Sequence, residues 1–534
     1  MKRMKLTPEG RVVAFIMIAV IIVGVAFAAY KFMIPVGQPN KAVADKIDNK
    51  VSEQSTSVNN SKTSVPTEST NSKPVEAPVI NLSFDEWIGW EPALYANGGL
   101  TTQPGSIFDN LGIKVNIHII NDAEASSNAL IKGDLNAAGY TLNRTAFLSG
   151  KFAGAGLDIV MPVFTNYSDG GDGIIALSNI NSIEDLVDAK IGVPKFSEAQ
   201  SMVVWFVNNS DLTDAQKRNI IDNLILLDDA EQTGQAFFSG SLDVAATWQP
   251  YLSYAEDSTD SHILFDTSSS NKLILDGIVF RADFAEAYPE VVSKFIDGIF
   301  VALEEYESDF DILRNAMPMF AGMSNEEIAT TRSDAGMMDY AANIEALENV
   351  CPIIYSDMCD VWESIGETVD RSFGKTLFDT SYVKTLSDKY SFIGNKISKE
   401  IVITEEQKED VQDIPSMLTK SCSLEFHPDT AKFVSNSDAA TILDEFVSIA
   451  KILDGTVIQI EGNVNFIDNA YYENSLSMSR AEAVKKYLVA NGIDARRIIT
   501  VGNGSSKMLV DPNGTIEDTM PNRRTDISFK TLGA

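Results

Sequence analysis

Three tryptophans stand directly behind apolar, strand-like runs: Trp87 and Trp90 behind residues 79–84, and Trp248 behind residues 244–247. An indole so placed either packs into a core or walls a ligand pocket. Tyr140, Ser168, Asp172 and Asp276 bring polar groups to the same kind of position, at or beside strand ends. Ser197, Gln200 and Ser201 follow Pro194, where a helix is expected to begin, and the free backbone N–H groups of a helix start attract an anion. Each has a structural alternative: Ser197 and Ser201 as helix caps, Asp172 as a cap or turn residue. Taken together these residues suit reversible binding of a small anionic or zwitterionic solute. Covalent and metal chemistry find no support, because His118, His262 and His427 lie far apart and no nucleophile motif accompanies them. No cofactor is implied.

The elements that must position these groups alternate. Strand-like runs at 79–84, 114–120, 137–140, 158–164, 173–177, 190–193, 224–227, 244–247 and 276–280 are interleaved with amphipathic helical stretches, of which 124–132 and 198–208 are the clearest. Such alternation predicts an α/β domain with mainly parallel sheets. Beyond residue 280 helices dominate to about residue 390. In a two-lobed α/β protein the ligand lies where the chain crosses between lobes, and the expected crossings are 169–173 and 273–277, the first containing the Gly170-Gly171 pair.

Residues 77–395 resemble the periplasmic-type solute-binding proteins of ABC importers, in the branch that handles sulfonates, taurine, nitrate and thiamine precursors. The resemblance rests on WIGWEP at 87–92, NYSDGGDGIIA at 166–176, IEDL at 183–186 with KIGVP at 190–194, GSLDVAA at 240–246 leading into Trp248-Gln249-Pro250, and VFRAD at 279–283. It implies a two-lobed periplasmic-binding-protein fold and an ABC permease as partner.

Residues 420–534 form a second module, joined by a polar, acidic linker at 396–419. A strand-like start at 424–431, a helix over 438–453, a strand over 457–462, a helix over 476–490 closed by Gly492, and strands at 498–501 and 526–530 give a compact βαβαβ sandwich. This module resembles the OmpA-like peptidoglycan-binding domain through Gly462, Leu476-Ser477, Arg480-Ala481, Ala483-Val484, Tyr487-Leu488, Gly492-Ile493, Arg497-Ile498, Gly502, Gly504 and Asn522-Arg523-Arg524. The resemblance implies that Arg480 holds the carboxylate of a diaminopimelate stem peptide, with Asn522, Arg523 and Arg524 nearby. Where the family has an aspartate for the ammonium this chain has Asn465, so charge pairing is lost at that position, and Asp468 is the candidate to restore it.

The N-terminus supplies the address. Residues 12–30 carry no charge and at about 1.5 Å per residue reach about 28 Å, the thickness of a bilayer core. Lys2, Arg3, Lys5 and Arg11 precede them, so the expectation is a cytoplasmic segment 1–11, a single transmembrane helix within 12–33 and an extracytoplasmic bulk. Cleavage behind Ala26-Phe27-Ala28 is the alternative. Residues 34–76 lack the apolar content to fold and read as a tether. The chain has 534 residues and a formal net charge of −33, which argues against nucleic acid as a partner. Cys351 and Cys359 are a candidate disulfide in an oxidising space, and Cys422 is expected to be a buried thiol. The expected function is a membrane-anchored solute-binding protein tethered to peptidoglycan; the alternative is a structural or sensory bridge between membrane and wall. An ion-driven motor stator is disfavoured, because its membrane span needs an ionisable residue and 12–30 has none.

Overall fold

The computed structural model describes residues 78–270, 272–305, 310–390, 399–404 and 406–532, all within one contact unit, Glu76–Ala534. The expected membrane span and tether lie outside the described residues. Among the described residues no helix is long and apolar enough to cross a membrane.

Among the described residues eleven strands build two lobes. β1 (Val79–Phe84), β2 (Lys114–Ile119), β3 (Ala137–Thr141), β4 (Ile159–Ser168), β10 (Leu275–Arg281) and β11 (Ala335–Met337) form one sheet in the order β11-β4-β10-β3-β1-β2. β5 (Asp172–Leu177), β6 (Ile191–Pro194), β7 (Ile225–Leu227), β8 (Val244–Trp248) and β9 (Ser261–Asp266) form the other, ordered β7-β6-β8-β5-β9. The expectation of mainly parallel sheets is corrected: β2, β1 and β3 run parallel, but β10 lies antiparallel between β3 and β4. Likewise β5 is antiparallel to both β8 and β9. The cause is connectivity. β4 hands the chain to the second lobe at residues 169–171, and β10 receives it back after 267–274, so each lobe contains a strand that enters against the local direction.

Helix α1 (Leu142–Gly154) starts directly from β3, its first turn capped by the Thr141 hydroxyl, and helix α2 (Glu198–Asn209) follows β6 behind its Ser197 cap. Val203, Val204, Trp205, Phe206 and Val207 are all buried, so α2 is apolar around most of its circumference and lies inside the molecule. Helix α3 (Cys351–Ser364) packs against both α1 and α2. It corrects the disulfide expectation. Cys351 and Cys359 are free thiols on this one helix, and eight residues of helix separate their Cα atoms by about 12 Å, twice the span a disulfide bridges. Cys422 is free and half-buried.

The C-terminal module is a four-stranded sheet, β12 (Leu418–Cys422), β13 (Val457–Gly462), β14 (Ile498–Gly502) and β15 (Thr525–Lys530), in the order β12-β15-β13-β14. Its first strand is Leu418–Cys422 rather than the expected run from residue 424, where only a single bridge joins Phe426 to Phe433. Helices α4 (Asn436–Ile452) and α5 (Ala470–Ala490) contribute Leu443, Phe446, Ala481, Val484 and Leu488 to a core with Ile458, Ile460, Ile527 and Phe529. Gly462 and Gly502 pair across β13 and β14 beneath α5. A Cβ on Gly462 would stand 2.0 Å from the Ser477 carbonyl oxygen, and one on Gly502 2.6 Å from that of Asn474. The missing side chains let the helix rest directly on the sheet backbone.

Candidate functional site

The two crossings are fastened to each other. The Ser168 and Thr267 hydroxyls lie 2.8 Å apart, Gly170 N donates to Thr267 Oγ1 at 2.9 Å, and Ser168 N donates to the Ile274 carbonyl at 3.0 Å. Gly170 has φ +97°, a conformation that favours glycine. Its neighbour Gly171 meets a different demand, since a Cβ there would lie 2.8 Å from the Trp87 ring.

Charged side chains from both lobes converge beside these crossings. Arg144, on α1 of the six-stranded lobe, reaches across to Glu198 on α2 of the other at 2.9 Å, both largely buried. Thr141 Oγ1 donates to the second Glu198 oxygen at 2.7 Å. Asp85, immediately after β1, accepts from Trp90 Nε1 at 2.8 Å. Asp172 opens β5, and Asp276 sits in β10 opposite Thr141 and Asn166. Burial first, then the carboxylates of Glu198, Asp85 and Asp334, push the Asp172 pKa up to about 7, against the pull of the Ser168 hydroxyl. Burial and the same acidic surroundings raise Asp276 well above the ordinary range. Burial also raises Asp85, with Arg144 and the Trp90 N–H opposing it. Burial alone would lower the Arg144 pKa, but Glu198 and Asp85 outweigh it and hold the guanidinium charged.

The residues singled out in the sequence divide accordingly. Asp172, Asp276, Ser168 and Trp248 meet at the crossings, Trp248 facing Asp172 in the β5–β8 ladder. Half-buried Trp87 donates to Asn166 Oδ1 at 2.9 Å. Trp90 belongs to the core instead, stacked on Phe84 with centroids 5.5 Å apart, and its contribution is to hold Asp85. Tyr140 is buried in a hydroxyl chain with Ser126 and Ser83. At the start of α2 the side chains expected to meet an anion make local hydrogen bonds. Ser197 Oγ donates to the Pro194 carbonyl at 2.6 Å and accepts from Gln200 N. Gln200 Oε1 accepts from Phe196 N, and Ser201 Oγ donates to the Glu198 carbonyl while accepting from Asn143. Glu198, in the first turn as well, is paired with Arg144, whose Nε is buried without a hydrogen-bond partner among the described residues. Asp85, Arg144 and Glu198 were missed, yet all three stand at the ends of strands or in the first turn of the following helix, where charged residues of an α/β fold face the cleft.

In the second module Arg480 projects from α5 over the Phe426 ring, 4.8 Å from its centroid, and donates to the Thr430 carbonyl at 3.2 Å. Burial and the nearby Arg523 lower its pKa, while Asp429 and Tyr472 raise it, so these four side chains share one site. Asn465 is committed at both ends: Nδ2 donates to the Pro512 carbonyl at 3.1 Å and Oδ1 accepts from Asn522 Nδ2 at 2.9 Å. Buried Asn522 also receives the backbone N–H groups of Leu509 and Val510. Asp468 is exposed with φ +64°. Arg524 points to the opposite sheet face, paired with Asp526 at 2.9 Å, where it helps line an open polar cavity of about 680 Å³ with Gln459, Glu461 and Lys507. Asp429 was missed because it lies in a turn behind a short bridge, with no periodicity to mark it.

Residues 425–523 match the OmpA family. The C-terminal module is OmpA-like. Outer membrane protein A of Bordetella avium is 35% identical over 101 residues, 19% of this chain and 52% of that protein. Peptidoglycan-associated lipoprotein of Pasteurella multocida is 32% identical over 79 residues, 15% of this chain and 53% of that one. The chain thus spans about half the length of the curated relatives it matches. Among solved structures, the periplasmic aliphatic sulphonate binding protein SsuA from Escherichia coli aligns with 57% of this chain and 98% of its own length, at 15% identity and a TM-score of 0.43.

The modules are in contact. The OmpA-like module rests on the return crossing through a buried ion pair, Lys272–Asp454, at 2.8 Å. Lys399 gives its backbone N–H to Asp454 at 2.9 Å and its ammonium to Asp169 at 2.5 Å and to the Ser268 carbonyl. Ser270 Oγ donates to the Ile452 carbonyl at 3.0 Å.

Proposed function

We propose that this protein captures a small solute reversibly between its two lobes while its C-terminal module holds peptidoglycan. The carrying observation is that polar groups of both lobes converge next to the two fastened crossings, so rotation about those crossings encloses or releases whatever sits among them. In the second module a guanidinium beside a second arginine suits a stem-peptide carboxylate, which Arg480 can take bidentately. Capture makes no covalent bond. In this reading residues 12–30 anchor the protein in the cytoplasmic membrane, the lobes stand on the wall side, and an ABC permease receives the solute.

The wall-binding half is tested by retention on purified peptidoglycan of a chain covering residues 76–534, alongside Arg480→Ala. The parent is retained and the variant washes through; equal retention removes Arg480 from the role. The capture half is tested by thermal shift, because a ligand bound only by the native state raises its stability by mass action.

A further inference from the structure

A hinge works by letting a few residues of its crossings change backbone angles while the lobes turn as bodies. Here those residues are held from outside. Lys399, on the linker into the OmpA-like module, sends its ammonium to Asp169 of the outbound crossing at 2.5 Å and to the Ser268 carbonyl of the return crossing. One lysine thus spans both. Its backbone N–H goes at 2.9 Å to Asp454 Oδ2, the same oxygen that takes the Lys272 ammonium at 2.8 Å. Asp454 belongs to the module and Lys272 to the return crossing, so a single carboxylate oxygen ties crossing, linker and module together.

The grip continues along the return crossing. The Ser269 carbonyl lies against Gly455, where a Cβ would stand only 2.7 Å from its oxygen, and Ser270 Oγ donates to the Ile452 carbonyl at 3.0 Å. Ser268, Ser269, Ser270 and Lys272 each touch the module or the lysine ahead of it. A second footing lies on the five-stranded lobe itself. Asp211, just behind α2, accepts from the amide and the hydroxyl of Ser421 in β12, each at 2.6 Å. A third is Asp357 of α3, whose carboxylate takes the Ser448 hydroxyl of α4 at 3.4 Å and the Trp205 indole N–H of α2 at 3.2 Å. Turning the lobes cannot leave all of these contacts intact. New backbone angles at the return crossing would drag Ser269 across Gly455 or draw Lys272 from Asp454, where both side chains are 7% exposed and little water can replace a broken contact.

We infer that the OmpA-like module braces the hinge: while it is seated, Lys399 and Asp454 hold the angle between the lobes, and the lobes turn only when the module shifts on the return crossing. The hinge role of the crossings comes from the capture reading above. Lys399 is a positioning residue in this scheme, since it acts on the cleft through the crossings it joins. Lys399 and Asp169 are each 28% exposed, so their contact can be removed without leaving a fully buried charge unpaired.

The test is a spin-label distance measurement on the chain covering residues 76–534. Labels are placed at exposed positions of the two lobes through Lys132→Cys and Asp222→Cys, with Cys422→Ser removing the half-buried thiol while Cys351 and Cys359 are buried. The parent is expected to give one narrow distance. Lys399→Met, which keeps the stem and loses the ammonium, should broaden or displace it; Asp169→Ala should do the same from the other end of the contact, and Lys399→Arg should keep the narrow distance. A lysine of merely structural importance would lower the melting temperature and leave the distance where it was. A distribution in Lys399→Met or in Asp169→Ala that coincides with the parent's, or a parent as broad as the variants, overturns the brace. Capture stands or falls separately on the thermal-shift screen, because no solute enters this measurement.

Discussion

Replacing Asp172 by asparagine should stabilise the protein, and more so at higher pH. Asp172 is buried at the start of β5 with its pKa raised from 3.8 to about 7. For a carboxyl raised on folding, the unfolded chain ionises first as pH climbs, so the stability present below about pH 4 is lost progressively up to the folded value. At about 1.4 kcal/mol per tenfold change, raising the pKa from 3.8 to about 7 corresponds to about 4 kcal/mol lost by pH 8 and about 2 kcal/mol already lost at pH 5. Asparagine keeps the shape and has no charge to lose. Relative to the parent, Asp172→Asn should therefore gain about 2 kcal/mol at pH 5 and about 4 kcal/mol at pH 8. The neighbours act in the same sense, because Glu198, Asp85 and Asp334 all repel the Asp172 charge. Urea unfolding at both pH values, followed by tryptophan fluorescence, reads the difference directly. A variant less stable than the parent at pH 8, or a gain that does not grow between the two pH values, would refute the reasoning.

Asp454→Ala removes an ion pair in a site where both side chains are 7% exposed, and should destabilise the protein by a few kcal/mol, about 3 or more, in urea unfolding. The pair Lys272→Met with Asp454→Leu should recover most of it, and a stable single variant would show that the ion pair is idle. Gly462→Ala must displace α5 from the Ser477 carbonyl 2.0 Å away, lowering the melting temperature of the module by an amount equivalent to about 1–3 kcal/mol or more; an unchanged melt counts against the close helix contact. Asn343 binds both the N–H and the carbonyl of Phe164, at 2.8 and 2.9 Å, so Asn343→Ala should cost about 2–4 kcal/mol and speed hydrogen exchange at the Phe164 amide.

Periodicity in the sequence located β1, β2, β3 and β13 within a residue, because these strands alternate or run apolar between clear turns. It did not show β9, whose His262 and Asp266 break the apolar run, nor β12, which straddles the end of what reads as a polar linker and is recognisable only from its partner β15. Strand direction was misjudged for a related reason: antiparallel entry depends on which lobe a strand joins, and local composition does not encode that choice. The crossings were legible through Gly170-Gly171. The capping of α2 was not, since Ser197, Gln200 and Ser201 offer the same side chains to a helix turn as to an anion. Only their partners, Pro194, Phe196 and Asn143, distinguish the two.

Gly455 carries a consequence for how such chains can be recombined. A Cβ there would lie 2.7 Å from the Ser269 carbonyl oxygen, so the OmpA-like module touches the two-lobed part backbone to backbone. A wall-binding domain transplanted from another protein would need both a glycine at that turn and an acid just before it to meet Lys272. Without them the graft would hang from its linker as an independent bead, which makes the junction, and not either module alone, the unit that has to be inherited whole.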